Sequence, residues 1–356
     1  MIKNSLMKAA VLVSNKKIKI KKIKIPKIKD DECLVQIKFS GICSSDIYRA
    51  FFNRSYFYPL IMGHEISGVI KKIGKKVKGF GINQNVGIFP LLPCNNCIEC
   101  KNKKYARCKS YNYYGSRNNG GFAEYLAVKK WNLIKCKDID LYQLSTLEPF
   151  SVCVHAIKLL NLKKFDRKSI CIIGAGYLGL IISEILSKIY SKNLLYQIDR
   201  NFFKLKLSKK NNKKNFLIKN QNEFVRFSNK NKFDIVIEAT GNHQMMSNSI
   251  DLVSSGGRCV WLGNIDQDLV LKKRIVSSIL RKEISILGSW NSDFKSSEHK
   301  DDWKKSIFLM KKFKLNTSKY VTKFIKLDNI FSLFKKLYSH KLGKKKFNYI
   351  KYSVKF

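Results

Sequence analysis

Residues 170–179 read Ile-Cys-Ile-Ile-Gly-Ala-Gly-Tyr-Leu-Gly, an apolar run that leads into the glycine pattern G-x-G-x-x-G. The apolar residues of Ser169–Ile173 predict a short buried strand, and the apolar spacing over Gly179–Tyr190 predicts a helix. Asp199 lies twenty residues beyond Gly179, at the end of a second predicted strand. A strand, a glycine-rich turn, a helix and a later acidic residue predict a dinucleotide-binding βαβ unit in a doubly wound parallel sheet.

Each residue of the glycine-rich turn has a separate expected role. Gly174 makes the tight turn, Gly176 lets the backbone approach a pyrophosphate, and Gly179 lets the helix pack on its strand. Tyr177 and Leu178 begin the helix, whose N-terminal N–H groups are expected to face the phosphates. The alternative is a glycine-rich strand–helix corner that binds no ligand.

The residue at the end of the second strand is expected to select the dinucleotide. Asp199 would bond both ribose hydroxyls, and its negative charge would repel a 2′-phosphate. This predicts NAD rather than NADP as the cofactor. The neighbouring cation Arg200 weakens that preference.

The sequence before this unit predicts a domain of another class. Residues 8–130 contain short apolar runs separated by Gly and Pro turns, a pattern typical of an all-β, barrel-like domain. One of these runs, Lys16–Lys29, alternates Lys with Ile, which predicts a strand with its lysines in solvent and its isoleucines buried. From about residue 154, strands and helices alternate as in parallel βαβ units, with a Lys/Asn-rich helical stretch after Asp199.

The composition excludes some classes of protein and raises one alternative. The 356 residues carry 70 Lys+Arg against 25 Asp+Glu, a formal net charge of +45, yet 45% of them are hydrophobic. A disordered polycation has few core-forming residues, so the hydrophobic content of this chain excludes that class. A basic nucleic-acid-binding protein is the alternative, and it predicts lysines clustered on one face. The lysines instead run through all regions of the sequence, so no dedicated nucleic-acid partner is expected.

Neither a membrane span nor an export signal is expected. The uncharged stretch Ser169–Ser183 has 15 residues, short of the ~20 apolar residues that span a bilayer. Lys8 divides the N-terminal apolar run Leu6–Val13, which leaves too short a core for a signal peptide. We therefore expect a cytoplasmic protein with no membrane partner.

A cluster of cysteines predicts a structural metal site. Four of the ten cysteines lie in the single stretch Cys94-x-x-Cys97-x-x-Cys100-x7-Cys108. In a reducing compartment, clustered thiols indicate metal binding before disulfides, and four thiolates suit tetrahedral zinc. The alternative of four unrelated thiols is much weaker, because the remaining cysteines are scattered.

A second, sparser set of residues predicts a catalytic metal site. Cys43, the pair His64-Glu65 and the later carboxylate Glu148 supply a thiolate, an imidazole and carboxylates. A Cys/His/Glu zinc site leaves one coordination position open, which separates catalytic from structural zinc. A lone Cys or His is more often structural, so the combination carries the hypothesis.

The order of these motifs resembles the zinc-dependent medium-chain dehydrogenase/reductase family, in its polyol dehydrogenase branch. The resemblance covers essentially the whole chain. It implies a GroES-like β-barrel catalytic domain over residues 1–153 and 295–356, with the structural-zinc lobe, and a Rossmann NAD-binding domain over residues 154–294. It also implies one catalytic and one structural zinc per chain, NAD as the cofactor, and a homodimer or homotetramer.

The resemblance also implies roles for individual residues of the metal sites. Cys43, His64 and Glu148 match catalytic-zinc ligands, and Glu65 matches a carboxylate that either ligates the metal or lies beside it. Ser45 matches the hydroxyl that begins the proton relay. Asp46 matches a buried partner that holds the loop, and Cys94, Cys97, Cys100 and Cys108 match the structural-zinc ligands.

The substrate expected from the resemblance is a polyol or polyol phosphate, oxidised at a secondary alcohol to a ketone. Local strings such as 58–65 and 115–125 resemble those of members that convert galactitol 1-phosphate to tagatose 6-phosphate. Arg49 and Arg117 are then hypothesised phosphate contacts, because guanidinium binds phosphate in a bidentate manner. The alternatives are two solvated arginines, and sorbitol, xylitol or threonine as the substrate.

Overall fold

The computed structural model describes residues 6–163, 166–208, 213–296 and 301–356. The chain divides into two compact units, a first unit of Met1–Pro149 with Asp293–Phe356 and a second unit of Phe150–Ser292. The boundaries expected from the sequence, after residues 153 and 294, lie a few residues away and stay predictions.

The strands of the described residues are β1 (Leu6–Ser14), β2 (Lys17–Lys24), β3 (Glu32–Ile42), β4 (Leu60–Ile61), β5 (Glu65–Ile73), β6 (Asn85–Ile88), β7 (Leu91–Leu92), β8 (Asn112–Tyr113), β9 (Tyr125–Lys129), β10 (Leu133–Lys135), β11 (Ser169–Ile173), β12 (Leu194–Asp199), β13 (Lys213–Leu217), β14 (Phe233–Glu238), β15 (Val253–Trp261), β16 (Ser285–Gly288), β17 (Val321–Ile325) and β18 (Lys351–Lys355). The helices are α1 (Ser44–Phe51), α2 (Ile98–Lys101), α3 (Leu141–Ser145), α4 (Leu147–Leu159), α5 (Tyr177–Ile189), α6 (Phe202–Leu207), α7 (Gln221–Lys230), α8 (His243–Asp251), α9 (Lys273–Arg281), α10 (Asp302–Lys312) and α11 (Ile330–Lys341).

The second unit is built on one parallel sheet. Its strand order is β13-β12-β11-β14-β15-β16, which in chain order reads 3-2-1-4-5-6. This is the doubly wound dinucleotide-binding topology, and it confirms the fold class predicted for this part of the chain. The order reverses between β11 and β14, so a ligand is expected at the carboxyl ends of these two strands.

The first unit is built on a mixed, mainly antiparallel sheet in the order β10-β6-β5-β3-β18-β17, with β9 also pairing to β3. A smaller sheet has the order β2-β1-β4, and β7 pairs with β8. Alternate side chains of β3, β5 and β6 point inward to one core, whose buried members include Val35, Ile37, Ile66, Ile70, Val86 and Ile88. A sheet of this kind fixes the ends of β3, β5 and β18 beside one another.

Two local predictions differ from the structure. The Lys/Ile alternation forms β2, but of its isoleucines Ile18 is buried while Ile20 is 36% exposed. The Lys/Asn-rich stretch after Asp199 is not one helix, since α6 is followed by strand β13. Part of that stretch, residues 209–212, lies outside the described residues.

Candidate metal and dinucleotide sites

The first candidate site begins where strand β3 ends and helix α1 starts. Cys43 occupies the N-cap position of α1 with extended backbone angles. Its backbone N–H donates a 3.0 Å hydrogen bond to Oδ2 of Asp46, which is fully buried. Asp46 therefore fixes the turn that carries the Cys43 thiol, the role expected for it from the sequence. Ser45 lies in the first turn of α1 and is half-buried.

Cys43, His64 and Glu65 come together as one group of possible metal ligands. One ligand atom from each lies within 4.8 Å of the others, and both His64 and Glu65 are buried. Nδ1 of His64 is 3.4 Å from Oδ1 of Asp46, so Nε2 is the imidazole nitrogen available to a metal. The sequence predicted these three residues as neighbours, and the fold brings them together from β3, α1 and β5.

Burial and neighbouring charges have opposing effects on the pKa values of His64 and Asp46. Burial alone would lower the pKa of His64, but Asp46 and Cys43 beside it raise that pKa well above the usual range. Burial alone would raise the pKa of Asp46, but His64 and Arg49 hold it below the usual range. Buried positive charge is therefore stabilised at this position by the surrounding acidic groups.

Glu65 depends on a glycine in the neighbouring strand. Gly41 of β3 lies directly opposite Glu65 of β5. A Cβ at Gly41 would lie 2.0 Å from Oε2 of Glu65, so only glycine leaves room for this carboxylate. Oε1 of Glu65 accepts a 2.5 Å hydrogen bond from Nζ of Lys351, while among the described residues Oε2 has no hydrogen-bond partner. Oε2 is thus a buried acceptor suited to a cation.

Lys351 is a buried cation that sequence reasoning missed. Burial would lower its pKa, but attraction to Glu65, Cys43 and Glu148 raises it above the usual value. The residue begins β18 and follows Glu65 by 286 positions, so no local motif connects the two. The pairing of β18 with β3, which also pairs with β5, places it here.

Glu148 lies close to this group but is not one of its three mutually close ligands. Burial, and to a lesser degree Glu65, raises the pKa of Glu148 to about 7 against attraction from His64. Its Oε1 accepts a 3.2 Å hydrogen bond from the phenol of Tyr113, whose ring meets that of His64 edge-on at 5.9 Å. Tyr113 is a second residue that the sequence analysis missed, although it lies just before the noted segment 115–125.

The four-cysteine lobe forms as the spacing predicts. Ligand atoms of Cys94, Cys97, Cys100 and Cys108 all lie within 4.8 Å of one another. The backbone N–H groups of Lys109 and Cys100 lower the pKa of Cys97 to about 6, which favours the thiolate. The sulfur atoms of Cys94 and Cys100 are 3.9 Å apart. Four thiols in this arrangement match tetrahedral thiolate coordination of zinc.

The glycine-rich turn of the second unit lies between β11 and α5. Gly174 has a φ of +99°, and a Cβ there would lie 2.7 Å from Cγ2 of Thr240. A Cβ at Gly179 would lie 2.0 Å from the carbonyl oxygen of Gly174, so this glycine is required by the turn itself. A Cβ at Gly176 would meet no protein atom within 4 Å, which leaves open space at the start of α5. Tyr177 and Leu178 form the first turn of α5.

Asp199 is held against this turn. Its Oδ2 accepts a 2.6 Å hydrogen bond from the N–H of Ala175, and its Oδ1 accepts one of 2.8 Å from Asn201. Each carboxylate oxygen keeps further acceptor capacity for a ribose hydroxyl. Arg200 is exposed next to it. Open space at Gly176, the N-terminus of α5 and a fixed carboxylate fit a dinucleotide.

The two arginines predicted to contact phosphate both belong to the first unit. Nη1 of Arg49 donates a 3.1 Å hydrogen bond to Oδ1 of Asp46, and among the described residues its buried Nε has no partner. Arg117 lies between the rings of Tyr56 and Tyr111. Arg49 and Arg117 both affect the pKa of Tyr111, which burial raises and the two cations lower.

The residues of both metal groups fit zinc. Thiolate, imidazole and carboxylate donors are the usual zinc ligands, and the Cys43 group offers them with a partnerless Glu65 oxygen among the described residues. A site with protein ligands on one side only can bind a substrate oxygen, whereas the four-cysteine group is closed. The donor sets of the first unit therefore fit a catalytic type and a structural type of zinc site.

Comparisons with known proteins agree with this arrangement. Residues 29–138 match the alcohol dehydrogenase GroES-like domain family, and residues 195–312 match the zinc-binding dehydrogenase family. Galactitol 1-phosphate 5-dehydrogenase of Escherichia coli (strain K12) is 31% identical over 293 residues, 80% of this chain and 83% of that protein. Sorbitol dehydrogenase of Bacillus subtilis (strain 168) is 28% identical over 292 residues, 79% and 81% of the two chains.

A solved structure supports the same conclusion at the level of the fold. The crystal structure of galactitol-1-phosphate dehydrogenase from Escherichia coli matches with a TM-score of 0.86 at 28% identity, covering 98% of this chain and 100% of that one. The fold and the paired metal groups are those of a two-domain, metal-dependent alcohol dehydrogenase. The chain belongs to the zinc-dependent medium-chain dehydrogenases, as an oxidoreductase that acts on small polyols or alcohols.

This membership confirms the predicted GroES-like and Rossmann fold class and, at family level, zinc and a nicotinamide dinucleotide as cofactors. The comparisons extend across polyols with and without phosphate, so they leave the individual substrate to the site. Among the described residues, no helix is both long enough and apolar enough to cross a bilayer.

Proposed function

We propose that the chain is a zinc- and NAD-dependent polyol dehydrogenase that oxidises a secondary alcohol of a polyol phosphate to a ketone, with galactitol 1-phosphate giving tagatose 6-phosphate. The observation that carries the proposal is the grouping of Cys43, His64 and Glu65 with two arginines in the same unit.

Cys43, His64 and either Glu65 or Glu148 would hold the catalytic zinc. When bound, zinc would supply a Lewis acid for the substrate hydroxyl, and NAD would supply the acceptor for the hydride that leaves the carbon bearing that hydroxyl. Oγ of Ser45 accepts the hydroxyl proton and passes it toward solvent, since Ser45 is half-buried beside Cys43. Tyr113 and Lys351 hold the carboxylates of Glu148 and Glu65 in place.

The dinucleotide would be held by the second unit. Gly174, Gly176 and Gly179 shape the turn, and the N-terminal N–H groups of Tyr177 and Leu178 meet the pyrophosphate. Asp199 takes the ribose hydroxyls, and its charge favours NAD over NADP against the opposing effect of Arg200. NAD rather than NADP is therefore the proposed cofactor.

The substrate proposal rests on Arg49 and Arg117. Guanidinium groups bind phosphate oxygens in pairs, which fixes both the position and the orientation of an anion. In Arg49 a buried Nε–H lacks a partner among the described residues, so it is available to an oxygen acceptor. A phosphate at one end of a polyol would select which hydroxyl reaches the catalytic group.

The test is NAD reduction with galactitol 1-phosphate, galactitol, sorbitol, xylitol and threonine, each with and without a chelator. We expect the highest kcat/KM with galactitol 1-phosphate, and loss of turnover after metal removal. Arg49→Ala should raise KM for the phosphorylated polyol and leave KM for sorbitol unchanged. Equal rises in KM for both substrates, or full activity without metal, would contradict the proposal.

We also propose that the chain forms a homodimer through the free edge of the parallel sheet. Strand β16 is the outer strand after β15, and Val276, Leu280 and Trp290 near it are exposed. An exposed edge strand with apolar neighbours is a template for pairing with a second copy. Sedimentation should show a dimer, and Leu280→Lys should shift it to a monomer; a monomeric wild-type chain would contradict this proposal.

A further inference from the structure

Arg117 is clamped by two tyrosines. Its guanidinium carbon lies 4.5 Å from the ring centre of Tyr56 and 4.0 Å from that of Tyr111. Nη2 donates a 3.2 Å hydrogen bond to the phenol oxygen of Tyr56, and Nη1 donates one of 2.8 Å to the backbone carbonyl of Tyr111. Ring contacts and hydrogen bonds together fix both the plane of the guanidinium and its rotation.

The loop that carries Arg117 is packed against the segment before His64. The backbone N–H of Gly121 donates a 2.8 Å hydrogen bond to the carbonyl of Gly63, and that of Gly120 donates one of 2.8 Å to Ile61. Gly115 has a φ of +84°, and a Cβ there would lie 2.3 Å from the carbonyl oxygen of Gly63. The loop is therefore held in a fixed register beside a proposed metal ligand.

A path of aromatic rings connects the clamp to the metal group. The ring centres of Tyr111 and Tyr113 are 6.3 Å apart, and those of Tyr113 and His64 are 5.9 Å apart. A terminal phosphate on a six-carbon polyol lies several bonds from the oxidised carbon. Its receptor is consequently expected near the metal group but outside it, which is where Arg117 lies.

We propose that Tyr56 and Tyr111 pre-organise Arg117 as the receptor for the phosphomonoester group of the substrate, and that Tyr56 is a specificity-determining residue. The inference rests on the proposed polyol phosphate substrate. A guanidinium has five N–H donors, and among the described residues Arg117 uses two of them. The remaining donors can bind two oxygens of one phosphate.

Because Tyr56 is largely exposed, an effect on Arg117 can be distinguished from an effect on core packing. Its side chain is 61% exposed, so it contributes little to the core, and both its hydrogen bond and its ring contact are with Arg117. Arginine otherwise loses much rotamer freedom on binding an anion, and a guanidinium already held in place loses less. The clamp should therefore improve binding of the phosphorylated substrate and leave uncharged polyols unaffected.

The test compares substrate preference in two Tyr56 variants. Tyr56→Leu removes the ring and the phenol, and we expect KM for galactitol 1-phosphate to rise roughly two- to fivefold, the range for a solvent-exposed cation–π contact. Tyr56→Phe keeps the ring and should show a smaller rise. In both variants, kcat with this substrate and KM for galactitol should match the wild type. The inhibition constant of inorganic phosphate should rise in parallel with KM.

The matched controls are Phe57→Leu, an exposed neighbouring ring, and Tyr58→Phe, whose phenol contacts Asn53 instead of Arg117. Both should keep the wild-type preference and melting temperature. If the wild type prefers galactitol 1-phosphate and Tyr56→Leu keeps that preference, the clamp proposal is overturned while the proposed function stands. If the wild type shows no preference for phosphorylated polyols, the proposed substrate is overturned, and the clamp proposal with it.

Discussion

At the scale of single residues, the clearest division is between the groups proposed to bind the metal and those proposed to bind the dinucleotide. Cys43 and His64 belong to the first unit, and the glycine-rich turn belongs to the second. Damage to one group should therefore leave the function of the other group measurable. Because the two groups belong to different units, retained NADH binding distinguishes a variant that has lost its metal from one that has lost its fold.

We predict that Cys43→Ser or His64→Ala lowers kcat by on the order of a thousandfold, since a lost Lewis acid removes several kcal/mol of transition-state stabilisation. NADH affinity, followed by fluorescence titration, should stay at the wild-type value. Metal analysis should show a loss of one zinc and retention of the other. The control is Cys136→Ser, a half-buried cysteine outside both ligand groups.

The outcome that contradicts this prediction is retained turnover in either variant with the catalytic zinc absent. A parallel loss of NADH binding would instead indicate general misfolding. In that case the variants would carry no information on metal ligation, and the conservative variant His64→Gln, which keeps the volume of the side chain, would replace His64→Ala.

Metal-binding residues that share one short stretch were predictable from their spacing in the sequence. Residues that reach the site only through the tertiary fold were not. The four cysteines share one loop, so their spacing is sufficient to indicate a common metal. Lys351 reaches Glu65 only because β18 pairs with β3 across from β5, and Gly41 leaves the space between them. One lysine among so many carries no signal of that contact.

At the scale of elements, the turn between β11 and α5 offers a test that distinguishes folding from binding. Two of its glycines differ in what a side chain would meet. At Gly179 it would meet the carbonyl oxygen of Gly174, and at Gly176 it would meet open space. The first position is therefore required by the protein, and we expect the second to be required by its ligand.

We predict that Gly179→Ala lowers the free energy of unfolding by roughly 1–3 kcal/mol, as overpacking does elsewhere. Gly176→Ala should leave the melting temperature unchanged, because its φ of −72° and ψ of −175° suit alanine. It should weaken NADH binding on the order of tenfold, or about 1.4 kcal/mol. Gly81→Ala, which also meets no protein atom, is the control for both measurements.

Equal NADH affinity in Gly176→Ala and wild type would show that no ligand approaches this turn closely. The glycine-rich corner would then be a structural feature alone. Loss of stability in Gly176→Ala would contradict the open space at this position.

The four-cysteine lobe is the element most dependent on metal. Its buried residues between Cys94 and Cys108 include Cys100, Cys108 and the small Ala106, so it has little hydrophobic core of its own. A lobe of this kind is stabilised mainly by its metal ligands. The same region is rich in Lys and Arg, so trypsin can cleave it once the lobe unfolds locally.

We predict that a chelator, or Cys108→Ser without a chelator, makes trypsin cleave first within residues 94–109. The expected increase in the cleavage rate is on the order of tenfold, since local opening governs access to the protease. Residues 150–292 should stay protected over the same period. Cys136→Ser is the control, and an unchanged cleavage pattern after zinc removal would contradict a structural role for the metal.

Elements with a strong apolar pattern were predicted well, and edge strands were not. β11 has the predicted bounds Ser169–Ile173, because it is buried on both faces at the centre of its sheet. β13 is rich in Lys and Asn, and its pairing with β12 makes it a strand. In β2, Ile18 and Ile20 lie on the same face, yet Ile18 is buried and Ile20 is exposed, while Ile23 beyond the Lys21-Lys22 pair packs against the core, so the alternation alone does not decide burial in this edge strand.

At the scale of the whole molecule, the formal net charge of +45 is a feature of the sequence that the proposed metal and dinucleotide sites do not require. Exposed lysines occur in both units, from β2 to the segment after α11. Such a field has no sequence preference of its own, but it attracts any anion toward the protein surface. NAD and a polyol phosphate are both anions, and a free polyol is not.

We predict that kcat/KM for galactitol 1-phosphate at saturating NAD falls by on the order of tenfold between 10 and 150 mM salt, over which the Debye length shrinks from ~30 Å to ~8 Å. Galactitol serves as the uncharged control, and its kcat/KM should change little over the same range. The loss should appear with NaCl and KCl alike, because screening depends on ionic strength instead of ion identity. Parallel slopes for the two substrates would show that the positive charge plays no part in drawing in the substrate, and that the arginines of the site act only at short range.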